Sequence, residues 1–438
     1  MGDYYLAIDI GATSGRHILG HIENGELLIE EVFRFKNNLI KEGDNLYWDL
    51  DYLFQNIIDG MKTCKKINKI PKSLGIDTFG VDYALLDNND QLIRRIYSYR
   101  DSRTNKSKEE LHKSISVKDL YLKTGIYPQT FNTIYQLYDD YMKGELSKAE
   151  TVIFLPCYLG YLLTGVKSTE LSIASTSGLL NKNSFEFDSE ILNLMNIKGT
   201  NFPKMFNSGD TIGTLTTRIQ EEVGYNCELK CVFSHDTASA CFGANVEENE
   251  VFLSSGTWSL IGLFADKMIA SEVALKKGFT NELNDKKHVR FLKNIIGMFI
   301  INEVVKEQNE NKSIIDVVNE AKEGFGYNEI FNPTDNRFLA PKSMITEIKS
   351  YFVERGIEPP STSAELYYCV YHSLASCYKN AIEEIKQLTN VDVKCIKIFG
   401  GGSNNLFLNE LTEKKANIKV IKEASEATAI GNLMCQIK

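Results

Sequence analysis

Three stretches of this 438-residue chain combine small residues with the polar groups that phosphate chemistry needs. Residues 9–16 read "DIGATSGR", an acid closing the apolar run "YYLAI" and then a series of small side chains. Glycine and small residues let backbone N–H groups close around an anion. Ala12, Thr13, Ser14, Gly15 and Arg16 are therefore a candidate phosphate nest, with two hydroxyls and a guanidinium as extra donors. Asp9 cannot bind phosphate itself. It can hold Mg²⁺ or its water shell, since this ion takes one or two protein carboxylates beside phosphate oxygens. Residues 253–259, "LSSGTWS", repeat the design around Thr257, and two nests in one chain suit a clamp on one polyphosphate. A third stretch, "FGGGS" at 399–403, sets Gly401 among three glycines between an apolar run and a helical pattern. That is the strand-to-helix position where ligands gather. Each glycine cluster alone also fits an ordinary tight turn, and no G-x-x-x-x-G-K-[ST] loop occurs in the chain.

The sharpest acid–base candidate is Asp236 in "SHDTASACFGA", residues 234–244. It follows a β-like run at 231–234 and precedes small residues of helical character, so its carboxylate should face a cleft. In phosphoryl transfer to an alcohol, such a carboxylate accepts the hydroxyl proton as the oxygen attacks the γ-phosphate. The alternative is a plain helix cap. His235 is either a substrate ligand or an ordinary buried histidine. Cys227, Cys231 and His235 have a suggestive spacing, but a structural zinc needs a fourth ligand and none stands out. Asp77, Asp82, Arg100, Asp101 and Arg103 cluster between residues 75 and 104. They suit a polyhydroxylated ligand, whose hydroxyls each need a donor and an acceptor. The alternative is a surface ion-pair cluster. Trp258 reads as a core residue.

The elements that must position these groups follow from periodicity. "YYLAIDI" reads as a buried strand, followed by "RHILGHI" and "ELLIEEVFRF" joined at Asn24-Gly25, a strong two-residue hairpin signal. Leu53, Ile57, Ile58 and Met61 have helical spacing, with Asp49 or Asp51 near the helix start. The stretch 72–86 is strand-like, and 105–200 is mostly helical. Near residue 245 the pattern restarts with strand, small-residue turn and strand, which suggests a remote internal duplication. Residues 364–390 form a long amphipathic helix that leads into strand, glycine turn, helix, strand and helix. The polar stretch 306–365 reads as helices with surface loops.

Bulk properties bound the function. The length implies two domains. A net charge of −9 lacks the basic footprint of a nucleic-acid partner. No stretch is apolar for long enough to suggest a membrane span, and the first residues lack the pattern of a secretory signal. Nine scattered cysteines read as reduced thiols. The expected setting is the cytoplasm.

In this order the blocks "DIGATSGR", "GIDTFGVDY", "YRDSRT", "HDTASA", "LSSGTWSL" and "GGGSNN" resemble the FGGY carbohydrate kinases of the actin-like ATPase superfamily, nearly end to end. "HDTASA" together with "SSGTWSL" is the specific part; the glycine patterns are not. The resemblance implies an α/β fold of two ribonuclease-H-like (actin-like ATPase) domains with mixed β-sheets flanked by helices and a cleft between them. Residues 1–244 would hold the sugar site and first phosphate loop, and 245–438 the second phosphate loop and adenosine site. It implies ATP and Mg²⁺ as cofactors, with Asp236 as general base and Asp9 on the metal side. Ala12, Thr13, Ser14, Gly15, Arg16, Thr257, Asn302 and Gly401 match ATP-side positions. Gly80, His235, Asp236, Thr237 and Asn294 match sugar-side positions. Two positions depart from the family pattern: the tyrosine that follows the glycines is absent, and Asn302 stands where glutamine is common. The implied acceptor is the 1-hydroxyl of L-rhamnulose. Another ketose or polyol, such as L-fuculose or L-xylulose, and a non-catalytic sugar or nucleotide sensor are the alternatives, with Asp236 favouring the enzyme. The resemblance implies a monomer or homodimer that binds a small-molecule sugar and ATP, with no nucleic acid and no membrane partner.

Overall fold

A computed structural model of the chain describes residues 3–308 and 312–437. Two six-stranded sheets organise it. The first contains β1 (Tyr4–Ile10), β2 (Ser14–Glu23), β3 (Glu26–Lys36), β4 (Pro71–Thr78), β5 (Thr211–Thr214) and β6 (Glu228–Lys230), in the order β5-β6-β4-β1-β2-β3. The second contains β7 (Glu250–Ser255), β8 (Trp258–Ala265), β9 (Phe279–Leu283), β10 (Val289–Ile296), β11 (Cys395–Phe399) and β12 (Val420–Lys422), in the order β9-β10-β8-β7-β11-β12.

Each sheet opens with an antiparallel hairpin whose first strand pairs in parallel with a later strand, β4 in one and β11 in the other, and that strand pairs in parallel with a further one, β6 or β12. The shared pattern gives structural form to the duplication read from the sequence. It also puts the two hairpin tips, Gly11–Thr13 and Gly256–Thr257, at equivalent ends of the two sheets. Asn24 and Gly25 turn β2 into β3 with φ of 51° and 83°, the left-handed conformation such a two-residue hairpin requires.

Helices cover the sheets as their apolar stripes dictate. Helix α1 (Leu50–Lys66) is capped by Asp49, which accepts from the Tyr52 N–H, and it buries Leu53, Ile57, Ile58 and Met61. Helix α2 (Asp236–Gly243) follows the first sheet, and α3 (Phe299–Glu307) follows β10. Helix α4 (Ser363–Thr389) starts at a capping box of Thr362 and Glu365 and ends at Asn390, whose φ is 58°. Helix α5 (Leu406–Ala416) lies in the second half, whereas α6 (Ala427–Ile437) returns to the first sheet, where Ala429 and Leu433 pack on Ala7 and Ile18. Among the described residues no helix is long and apolar enough to cross a membrane. Within 306–365 the elements are helices and loops, and residues 309–311 lie outside the described residues.

Two expected strands come out differently. The run 72–86 is not one strand: β4 ends at Thr78, Val81 takes a φ of 72°, and Tyr83–Leu86 pairs separately with Thr151–Phe154. A β-branched residue in that region is held against its steric preference by its surroundings. The Val81 N–H donates to Thr176 Oγ1 and its carbonyl accepts from Thr133 Oγ1. The β-like run 231–234 lies beyond the end of β6 and makes no ladder of its own; one bridge, Thr78 to His235, ties it to β4.

Candidate active site

The mouths of the two hairpins and the start of α2 enclose a cavity of about 310 Å³. Ala12 and Thr13 reach it from the first tip, and Thr257 from the second. The first tip is fixed by Gly11 N–H donating to Ser14 O and by Asn37, whose backbone and side-chain nitrogens donate to Thr13 O and Gly11 O. Among the described residues the N–H groups of Ala12, Thr13 and Thr257 meet no protein acceptor, so they are free to serve an anion. Gly297 seals the second tip from behind, where a Cβ would meet Ser259 Oγ at 2.4 Å.

The remaining nest residues sit just behind. Ser14 and Gly15 open β2, and Gly15 lies under the Phe35 ring, 2.1 Å from where a Cβ would be. Arg16 pairs across the strands with Asp9 at 2.9 Å and forms a second ion pair with Glu426. Gly400, with φ of 83°, and Gly402 fold the glycine loop onto Ser255, at the base of the second tip. Gly401 points into open space beside them. Asn302 is exposed on α3, which starts just after that tip, and does not line the cavity.

Asp236 is the first residue of α2, and the cap position belongs to His235. The helix-cap reading therefore gives way to an acid aimed at the cavity, with its side chain about one-third exposed. Its position is set by the strand end behind it. Thr78 N–H donates to Ser234 O at 2.9 Å, Ser234 N–H to Glu170 at 3.1 Å, and His235 N–H to Ser172 Oγ at 3.2 Å. Glu170 and Ser172 went unnoticed in the sequence; "STELS" carries the cap signal that could have found them. Gly80, His235 and Thr237 share the cavity wall. Asn294 faces them from β10, and its buried Oδ1 lacks a partner among the described residues, as a ligand-facing acceptor would.

Aromatic rings join the two halves of the wall. Phe79 stacks on Trp48 with centroids 4.5 Å apart and meets Tyr99, which meets Phe131, which meets Trp258 edge-on at 6.4 Å. Trp258 is both: partly buried, it packs against the core of the second half as its reading expected, and the strand start that bears it also opens onto the cleft. The acidic and basic cluster of 77–103 is neither a surface network nor, for the most part, a ligand site. Asp82 is buried and accepts from Trp48 Nε1, Gln136 Nε2 and the Tyr99 N–H, while burial pushes its carboxyl up to about 6. Arg103 is buried against Asp139 and Asp140, and Asp101 accepts from the backbone of Leu46 and Arg103. Arg100 faces the cavity.

Asp9 and Asp77 are neighbours on β1 and β4. Burial is the main cause raising both carboxyls; the charge of Asp236 adds to both, and the charge of Asp9 raises Asp77 further. Arg16 offsets part of this at Asp9. Asp77 Oδ2 accepts from Asn432 of α6 at 2.6 Å, while its buried Oδ1 has no partner among the described residues. The paired Asp9 and Asp77 carboxylates, one with an orphaned oxygen, suit a cation beside them. Among the described residues no three His, Cys, Asp or Glu side chains form a ready-made metal cage. A Mg²⁺ beside Asp9 would therefore draw most of its ligands from phosphate oxygens and water, as this ion prefers.

This site and fold define a class. Residues 4–243 match the N-terminal domain of the FGGY family of carbohydrate kinases and residues 251–438 its C-terminal domain. The chain belongs to the FGGY carbohydrate kinase family, a family of ATP-dependent sugar kinases. Similar curated proteins include the rhamnulokinase of Oceanobacillus iheyensis, 40% identical over 99% of this chain and 92% of its own length. The rhamnulokinase of Bacillus subtilis is 38% identical over 99% and 90%. Among solved structures, gluconate kinase from Lactobacillus acidophilus superposes with a TM-score of 0.84 at 17% identity, covering 100% of this chain and 89% of that one. Ligand-bound xylulose kinase from the same organism gives 0.84 at 17%, covering 99% and 89%. These structures share the two-domain fold.

Proposed function

We propose that the chain transfers the γ-phosphoryl group of ATP to the 1-hydroxyl of L-rhamnulose, giving L-rhamnulose 1-phosphate and ADP, a step of L-rhamnose breakdown. Near-full-length similarity to rhamnulokinases supports the choice of sugar. The observation that carries the chemistry is Asp236: a carboxylate at the start of a helix, facing a cavity bounded by two hairpin tips with free N–H groups.

In this reading the halves divide at 244/245, the first offering sugar contacts and the first phosphate loop, the second the other loop and the adenosine side. Gly80, His235, Thr237 and Asn294 hold the sugar hydroxyls, and the aromatic arc covers the methyl end of a 6-deoxy ketose. Asp236 takes the hydroxyl proton as the O–P bond forms and the bond to ADP breaks. Ala12, Thr13, Ser14, Gly15, Arg16 and Thr257 bind phosphate oxygens, with Asn302 and Gly401 on the adenosine side. Mg²⁺, on the Asp9 side, neutralises charge on the phosphoryl oxygens when bound. Water kept out of the closed cleft cannot compete with the sugar as acceptor. The ATP supply places the work in the cytoplasm. One chain provides every assigned group, so a monomer suffices whether or not it pairs as a homodimer.

The test is ADP formation with Mg-ATP across a panel of ketoses and polyols, run beside Asp236→Asn. Selective turnover of L-rhamnulose, reduced by about 10²–10⁴-fold in the variant, is expected. Turnover of L-fuculose or L-xylulose instead would move the substrate. Near-normal turnover by a folded Asp236→Asn would remove the base.

A further inference from the structure

The wall behind His235 is built by the other half of the molecule. Strand β9 and the residue after it are bonded to the first half: Thr280 Oγ1 accepts from Tyr127 N–H, Asn281 Nδ2 donates to Gly125 O, Leu283 N–H donates to Ser175 Oγ, and Asn284 Nδ2 donates to Ala238 O. Glu282 of β9 and Arg290 of β10 are direct partners across this antiparallel pair, 3.2 Å apart. Arg290 is fully buried, and its Nε and Nη1 have no partner among the described residues. Unpaired N–H groups in such a place destabilise the fold. The arginine is better explained by what its third nitrogen does: Nη2 donates to Leu283 O at 3.3 Å and lies 3.1 Å from His235 Nδ1.

A guanidinium has no lone pair to offer, so in this contact Nδ1 must accept. The ring hydrogen then lies on Nε2, which is 3.5 Å from Asp236 Oδ1. Glu282 Oε2 is 3.3 Å from the same Nδ1 and would take a hydrogen placed there, but it lies 3.2 Å from Arg290 Nη2 as well. Its role is to balance the arginine. Thr237 Oγ1 donates to the same Asp236 Oδ1 at 3.0 Å. Both neighbours thus face one oxygen of the acid and leave the other, Oδ2, open.

We infer that Arg290, neutralised by Glu282, is a positioning residue that fixes His235 as its Nε2–H tautomer, so that His235 and Thr237 occupy Asp236 Oδ1 and the substrate proton goes to Oδ2. The last clause rests on the kinase reading above; the tautomer does not. Because β9 and β10 belong to the second half and His235 to the first, the donor that orients the sugar site is delivered only when the halves are docked.

The first experiment is a long-range ¹H–¹⁵N spectrum of histidine-labelled full-length protein at neutral pH, without sugar or nucleotide, with His235 assigned by its loss in His235→Gln. An unprotonated Nδ1 and protonated Nε2 are expected. A protonated Nδ1, as the Nδ1–H tautomer or as imidazolium, would overturn the inference whatever the enzyme turns over. Arg290→Met should then mix the tautomers and lower kcat at least tenfold, with KM for ATP within twofold. Arg290→Lys, which keeps a donor and the charge, should restore the Nε2–H form and most of kcat. An unchanged tautomer in Arg290→Met would refute Arg290 as its cause. If Arg290→Met does not fold, Arg290→Met combined with Glu282→Leu leaves no unpaired buried charge, and an unchanged tautomer there refutes it equally. Absence of kinase activity beside the expected spectrum would instead fail the kinase reading and leave the tautomer standing.

Discussion

Gly431→Ala should slow the reaction without touching any group that meets substrate. Helices α2 and α6 cross so closely that a Cβ at Gly431 would lie 1.9 Å from the Ser239 carbonyl oxygen, and one at Gly243 would lie 2.1 Å from the Ala427 oxygen. Both obstacles are backbone atoms, so no rotamer change relieves them. Reaching ordinary van der Waals separation requires the helices to part by roughly 1.5 Å. Asp236 begins α2, only three residues before Ser239. A misplacement of about 1 Å at a reacting group costs on the order of 10²-fold in rate, and overpacking costs about 1–3 kcal/mol. For a chain of this size that is about 1–3 °C of melting temperature. The assay is kcat at saturating sugar and ATP beside a thermal melt. Gly326→Ala is the control, because a Cβ there meets nothing within 4 Å. A variant that melts lower yet keeps full kcat would show that the crossing does not set the position of the base. Unchanged values of both would refute the clash itself.

Other expected outcomes follow from buried charge. Arg103→Met takes one of two buried guanidinium partners from Asp140, which keeps Arg94, and leaves Asp139 with only the half-exposed Lys143, so it should destabilise by about 3 kcal/mol, the low end for a broken buried pair; urea unfolding measures it, and a midpoint equal to that of the parent would sink the idea. Burial lowers His17 to about 4 from 6.5, so the unfolded chain binds this proton first as pH falls. Stability is complete above pH 6.5 and declines towards pH 4. His17→Leu should therefore lose about 2 kcal/mol less than the parent between pH 7.5 and 5, and parallel unfolding curves at the two pH values would contradict the burial argument. Asp9→Asn should raise the Mg²⁺ concentration needed for half-maximal turnover at fixed ATP at least severalfold; an unchanged Mg²⁺ titration would remove Asp9 from the metal side.

Much of this protein is local and therefore legible in the chain. Alternating and continuous apolar runs announce β1, β2 and β3, Asn24-Gly25 sets their turn, and Asp49 and Thr362 mark helix starts because capping is a contact between near neighbours. The two small-residue tips and Asp236 are visible for the same reason: glycine, hydroxyl and acid types stand out within a few residues. What the chain conceals is partnership across distance. Trp258 faces a cleft, Asp82 and Arg103 turn inward, and "TFGVD" breaks a strand because of neighbours far away in sequence. Arg290 and Glu282 look like ordinary residues of two strands. Only the docking of β9 and β10 against the first half brings a buried guanidinium to His235, and only the return of α6 brings Asn432 to Asp77. Residue type and spacing therefore determined which chemistry was available. Tertiary packing decided which atom of each group is free to perform it, because burial and pairing are set by contacts that no local pattern encodes.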